Sequence, residues 1–166
     1  MRKYFNILLI IISIIIISCG GENGTEPDIQ LKLMIEPSEK VINLGEEATF
    51  FVQIDNVIDL FGFSAEITFD NTKIELPANP IVIGEMWNAE VISEIFVESG
   101  CLSITIGFTQ TEGYDGISGN GVLFYFTLVG TNSGESDITF ENLELIDENA
   151  NPISGIEVND GNLIIQ

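Results

Sequence analysis

The chain contains no histidine and only five basic residues, against 26 acidic ones. The missing imidazole removes the commonest general base and metal ligand, and with it Ser-His-Asp and Cys-His catalysis. Two of the five bases, Arg2 and Lys3, stand at the start. From Cys19 onward, three lysines face all 26 acids, a formal −23. Such a surface is a poor partner for nucleic acid or an anionic membrane. It suits a solvating coat outside the cell, or attraction to cationic groups or Ca²⁺. Cysteine is scarce as well: Cys19 and Cys101 are the only two. A domain of this size buries roughly 70% of its unfolded surface and needs no disulfide. There is no apolar run of the about 20 residues that a membrane helix requires. Amphipathic helical periodicity and internal repeats are also missing.

What is present is alternation. In residues 60–76, LFGFSAEITFDNTKIEL, the side chains of Phe61, Phe63, Ala65, Ile67 and Phe69 share one face of an extended strand. Gly62, Ser64, Glu66, Thr68 and Asp70 share the other. A period of two is the mark of a half-buried strand. Asp70-Asn71 supplies turn chemistry, and Ile74 and Leu76 resume the apolar pattern. Ala48, Phe50, Val52 and Ile54 alternate in the same way, as do Leu102, Ile104, Ile106 and Phe108. Residues 91–98 read as a strand with less clean alternation, and Ser99-Gly100 as a hairpin turn. Residues 110–120 are a loop by composition. Residues 121–129, apolar on both faces, read as a central strand. Ile138 and Phe140 lie out of phase with Leu143 and Leu145, so a bulge near Glu141-Asn142 is expected. Asp160-Gly161 is a turn before the last strand. Eight or nine short strands with frequent turns predict an all-β sandwich.

The start of the chain is of a different kind. Residues 1–18 have the positive start and short apolar core of a signal peptide. Ile16-Ile17-Ser18-Cys19-Gly20 resembles a bacterial lipobox, which implies cleavage before Cys19 and acylation of its sulfur and amine. Gly20 rather than Asp after the cysteine permits outer-membrane sorting in a diderm bacterium. Residues 19–28, rich in Gly and acid, read as a flexible tether. The domain is expected over 29–166, outside the cytoplasm and held to the bacterial envelope by lipid.

A wider resemblance runs through the domain. Gly62 followed by Phe69-Asp70-x-x-x-Ile74-Glu75-Leu76 resembles the third strand and turn of cohesin domains. Residues 37–57, PSEKVINLGEEATFFVQIDNV, resemble the cohesin opening. Ile117-Ser118-Gly119-Asn120-Gly121-Val122-Leu123 resembles the family's loop and seventh strand, Ser133-Gly134 with Ile138-Thr139-Phe140 the eighth, and Asp160-Gly161 the approach to the last. The resemblance covers about 31–165. It implies a nine-stranded jelly-roll sandwich, related to carbohydrate-binding modules, and a non-catalytic module without cofactor. Its partner would be a dockerin-type Ca²⁺-binding protein of polysaccharide-degradation machinery, bound on the sheet that holds strands three, five, six and eight. The positions implied for that contact are Gly62, Ser64 and Glu66 on strand three and Thr105 and Gly107 on strand six. Many cohesins carry an Asn-x-Asp pair where this chain has Gly62 and Ser64.

Other readings compete with a protein partner. A glycan binder would use Trp87, the only tryptophan, with Tyr114 as a stacking platform, although Trp87 could equally cap the core. Paired carboxylates for glycoside hydrolysis are available at Asp55/Asp59, Glu46/Glu47 and Glu144/Asp147, all at turns or strand ends where acids are commonly solvated. Turn oxygens at Asp55, Asn56 and Asp59, or at Asp147, Asn149 and Asn151, could hold Ca²⁺, without EF-hand spacing. Cys101 has no disulfide partner once Cys19 is lipidated.

Overall fold

A computed structural model describes residues 30–87, 91–98, 100–107 and 115–166, with backbone alone at 104 and 106. The expected signal peptide, Cys19, the tether, Phe108 and Tyr114 lie outside the described residues. Every element described is a strand. One sheet contains β1 (Lys32–Glu36), β3 (Glu47–Leu60), β9 (Ile117–Gly130) and β11 (Glu157–Asn159), in the order β11-β1-β3-β9. The short β5 (Ile74–Glu75) and β6 (Ile81–Ile83) both pair with β9. The second sheet has β2 (Glu39–Ile42), β12 (Gly161–Ile165), β10 (Gly134–Ile146), β4 (Gly62–Thr68), β8 (Cys101–Gly107) and β7 (Ile92–Glu98), in the order β2-β12-β10-β4-β8-β7.

The alternation read from the sequence is what builds the core. Ala48, Phe50, Val52 and Ile54 of β3 are buried, facing Phe63, Ala65 and Ile67 of β4 across the interior. Phe50 stacks on Phe126 at 5.5 Å, and Phe63 meets Phe124 at 5.7 Å in a tilted pair. Aromatic pairs at such distances add to the area they bury. β9 is central, as its two-sided apolar sequence requires. The bulge in β10 falls where the phase slips: the β4 register jumps between Glu141 and Glu144, and Asn142 takes a φ of 48°. Asn tolerates that left-handed conformation better than most residues.

Some details differ from expectation. Where nine strands were expected, the described residues form twelve segments, four of them only two to four residues long. The strands before and after Pro37, β1 and β2, belong to different sheets, which the sequence did not indicate. Asp160-Gly161, expected as a turn before the last strand, joins β11 of one sheet to β12 of the other. There the chain crosses between the sheets, and a Cβ at Gly161 would come within 2.7 Å of Ile35 Cγ2. Residues 117–120 are not loop but the first part of β9, held by irregular pairing of Val57 with Gly119 and Leu60 with Ile117. Composition signals a loop there, yet long-range pairing with β3 outweighs it.

Candidate protein-docking face

The outer face of β10, β4, β8 and β7 is assembled by three antiparallel ladders, of which only the β10–β4 one is interrupted, by the bulge. Ser64 stands opposite Thr105 on β8 and Glu144 on β10, and Thr105 in turn opposite Glu94 on β7. The next row runs Glu141, Glu66, Ser103, Phe96, and the row after it Thr139, Thr68, Cys101, Glu98. At the other end, Gly62 lies between Ile146 and Gly107, with Ile92 beyond. The five positions singled out in the sequence therefore occupy adjacent strands in matched register: Gly62 beside Gly107, Ser64 beside Thr105, and Glu66 one row on.

Short polar side chains tie the ladders together. Ser64 Oγ and Thr105 Oγ1 share a hydrogen bond of 3.0 Å, and Thr68 and Thr139 hydroxyls one of 2.7 Å. Asn142, thrown outward by the bulge, donates to Glu66 Oε2 at 2.7 Å. The bulge thus has a consequence for the face: it fixes a carboxylate near its centre. Gly62 departs from the expectation. It is buried rather than open to a partner, at the end of the sheet where Ile146 bridges Pro152. Gly107 is partly exposed.

The face is electrostatically one-sided. None of its four strands contains a lysine or arginine. The lysines that follow Cys19 are engaged elsewhere: Lys32 with Glu157 at 3.3 Å, Lys73 with Asp70, and Lys40 with the Thr49 carbonyl at 3.1 Å. Glu66, Glu94, Glu98, Glu141 and Glu144 have no cation on their own strands. Cys101 feels this field: desolvation, then the charges of Glu66, Glu98 and Glu141, push its thiol above the ordinary range. A raised pKa means less thiolate and lower reactivity. Cys101 is a free cysteine among the described residues.

The strand expected over residues 91–98 is β7 (Ile92–Glu98), but none of its residues was among the contact positions read from the sequence. Phe96 and Ile92 stand on this face 58% and 63% exposed, beside Glu94 and Glu98. The signal was there in the poor alternation of residues 91–98: a strand with apolar residues on both parities is either buried twice or left for a partner to cover.

The competing sites fare differently. Trp87 is buried to 6% exposure, and its indole N–H donates to the Leu123 carbonyl at 3.0 Å. It is a core residue, so the stacking platform loses its main member. The Asp147 carboxylate is filled by protein donors, the N–H groups of Asn149 and Asn151 and the Asn151 amide, at 2.8–2.9 Å. These bonds, led by those from Asn151, lower its pKa. An oxygen set already bonded to N–H groups is a turn, not a Ca²⁺ cradle. Asn56 and Asp59, both at a φ of 60°, brace the irregular β3–β9 pairing instead. The Asn56 N–H donates to Asn120 Oδ1 at 2.7 Å, and that of Asp59 to Ser118 Oγ at 2.9 Å. Glu46 accepts from the Asn43 backbone and side chain, which lowers its pKa. Glu144 belongs to the sheet face and Asp147 to the turn after it. Among the described residues, no three His, Cys, Asp or Glu side chains converge as a metal site.

No protein-family model and no curated protein matches this sequence. Solved structures do match the fold. A non-cellulosomal cohesin from the archaeon Archaeoglobus fulgidus superposes with a TM-score of 0.68 at 19% identity, over 82% of this chain and 91% of that one. The third cohesin of ScaC from Acetivibrio cellulolyticus, solved with the ScaB dockerin, gives 0.70 at 16% identity, over 82% and 99%. A type I cohesin–dockerin complex from Clostridium thermocellum gives 0.68 at 16%, over 84% and 95%. These counterparts are protein-interaction modules, not enzymes. At such identities the likeness establishes the fold: an all-β, two-sheet, cohesin-like sandwich.

Proposed function

We propose that this chain is a non-catalytic, cohesin-like interaction module, lipid-anchored through Cys19 and displayed on the bacterial cell envelope. Its partner is a dockerin-type Ca²⁺-binding protein of polysaccharide-degradation machinery. The observation that carries this reading is the full-length match of the sandwich to cohesins, three of whose solved forms are described above, two of them with dockerin. The twelve segments fit the family's nine-stranded jelly roll when β1 with β2, β5 with β6, and β11 with β12 are each counted as one strand. Domain boundaries follow as signal peptide 1–18, tether 19–28 and module 29–166.

The partner is assigned to the outer face of β10, β4, β8 and β7, with Ser64, Glu66 and Thr105 at its centre and the paired Gly62 and Gly107 at its end. Support comes from the short side chains along β4 and β8: Ser64, Thr105, Ser103 and Thr68 leave the backbone there accessible to a helix lying across it. A stable complex would bury roughly 1,200–2,000 Å². Phe96, exposed on the margin strand β7, adds an aromatic contact at the side of this patch. Glycan binding is not favoured, because Trp87 is in the core.

The test is a pull-down from the secretome of the producing organism, with two variants in parallel. Ser64→Arg places a bulky charge at the centre of the face and is expected to cost more than about 2 kcal/mol, abolishing Ca²⁺-dependent capture. Gln53→Arg, on β3 of the opposite sheet, is expected to leave capture intact. Chelating Ca²⁺ releases the partner while this domain stays folded. Capture by Ser64→Arg but not by Gln53→Arg puts the site on the other sheet. Failure of the unmodified protein to capture any Ca²⁺-dependent partner rejects the dockerin reading.

A further inference from the structure

Among the described residues, no strand lies beside the outer edge of β7, and of the usual protections this edge carries only the outward Glu94 and Glu98. Among the described residues it is the longest strand at a sheet margin: β2, β5, β6 and β11 have four residues or fewer. Natural edges are blunted by lysine, proline, bulges or inward-pointing charge. β7, ISEIFVE, has no lysine and no proline, pairs with β8 without a register shift, and turns only Ser93, Ile95 and Val97 inward. Both of its faces carry exposed apolar residues, those outside alternating with Glu94 and Glu98. Ile92 and Phe96 are 63% and 58% exposed on the outside, Ile95 and Val97 39% and 51% on the inside. Val97 borders an open groove of about 370 Å³ with Phe69, Ile74 and Leu76, between the margins of the two sheets. An unpaired strand with uncovered apolar residues on both faces is a template for another strand.

We propose that this edge pairs with β7 of a second copy of the chain, antiparallel about a two-fold axis through Ile95, joining the two sheets into one. The sequence is self-complementary in that register. Ile95 meets Ile95, Ser93 meets Val97, Glu94 meets Phe96 and Ile92 meets Glu98, so no carboxylate stands directly opposite another. Directly opposed like charges destabilise a ladder, and a strand carrying two glutamates avoids them here through its spacing alone. A two-fold interface uses one patch twice, as this register does. Seven residues span about 23 Å. The contact therefore lies near the lower end of stable interfaces, about 1,200 Å², and the dimer is concentration-dependent. Its long-range opponent is the net charge of −21 on each copy. Salt shortens the reach of that repulsion, so added salt strengthens the dimer. Contact with a basic partner strand would be weakened by salt instead.

Sedimentation velocity on the full chain, in density-matched non-ionic detergent, tests this at about 0.05 M and about 0.5 M NaCl. The expected result is a monomer–dimer equilibrium that shifts toward dimer at the higher salt. Ile95→Glu places two carboxylates at the axis and is expected to raise the dimer Kd at least about tenfold. Phe96→Ser, at an exposed position that the fold does not need, is expected to raise it as well. Gln53→Glu, with the same added charge on the other sheet, is expected to match the unmodified protein. Monomer alone up to roughly 1 mM, dimerisation by Ile95→Glu equal to wild type, or association that weakens with salt each overturns the proposal.

Discussion

Asp70 does at residue scale what the turn after β4 needs. Its carboxylate accepts the Thr72 N–H at 2.9 Å, the Thr72 hydroxyl at 2.6 Å and the Lys73 ammonium, and its own N–H donates to Ser136 Oγ at 3.0 Å. The Lys73 bond first, then those from Thr72, holds its pKa down to about 2, from an ordinary 3.8. A carboxyl whose folded pKa is depressed stabilises the fold above its unfolded pKa, and that contribution is lost as pH falls through the folded value. Asp70→Asn should therefore have a lower urea midpoint than wild type at pH 7, and the gap should close between about pH 4 and pH 2. A gap of constant size down to pH 2, measured by urea denaturation at stepped pH, would show that the ionised carboxylate contributes nothing to the turn.

At the scale of elements, β4 divides the molecule's two tasks between its faces. Phe63 is buried against Phe124, whereas Glu66 is partly exposed and held by Asn142. Phe63→Ala should cost roughly 3–5 kcal/mol, the range for emptying an aromatic site in a core. Glu66→Ala should cost under about 0.5 kcal/mol, because the Asn142 amide it releases is exposed and can turn to water. Equal losses for the two by urea denaturation would contradict the strand's parity. This parity was legible in the sequence, since one face is apolar at every position. The bulge was legible for the same reason: four apolar residues in two phases can all face inward only if the strand slips by one. The sheet switch between β1 and β2 was not. Pro37 marks a break in a strand, but which sheet each half joins depends on residues far along the chain, Glu157–Asn159 for β1 and Asn162–Ile165 for β2.

For the whole molecule, the first and last strands run parallel to each other in both sheets and bind one margin of the sandwich together. The opposite margin, where β5 and β7 lie, stays open along the groove beside Val97. With 26 acids against three lysines from Cys19 onward, charge repulsion opposes aggregation through the exposed apolar residues of β7. Lipid at Cys19 would hold it near an envelope that its surface charge alone would not attract. A single acyl chain anchors marginally and several anchor firmly. Cys19→Ala is accordingly expected to abolish radioactive fatty-acid incorporation and to move the protein from the membrane fraction to the soluble one. Unchanged labelling and partitioning in that variant would remove the lipid anchor from the account.

By itself the sequence determined the fold class, the inward faces of most strands, the slip in β10 and the sign of the surface, because each depends on local periodicity or composition. It also placed Ser64, Glu66 and Thr105 on outward positions, since strand parity decides that without knowledge of neighbours. Tertiary structure decided the rest. Trp87 looks the same in sequence whether it stacks on a sugar or closes the core; Leu123, 36 positions away, accepts its indole N–H and makes it a core residue. Gly62 has the parity of an exposed residue, yet it is buried at the end of its sheet, where Ile146 bridges Pro152. Ile95 and Val97 have the character of core residues and point inward, yet they are exposed because β7 is last in its sheet. Burial is a property of what lies opposite, and residues distant in sequence supply what lies opposite.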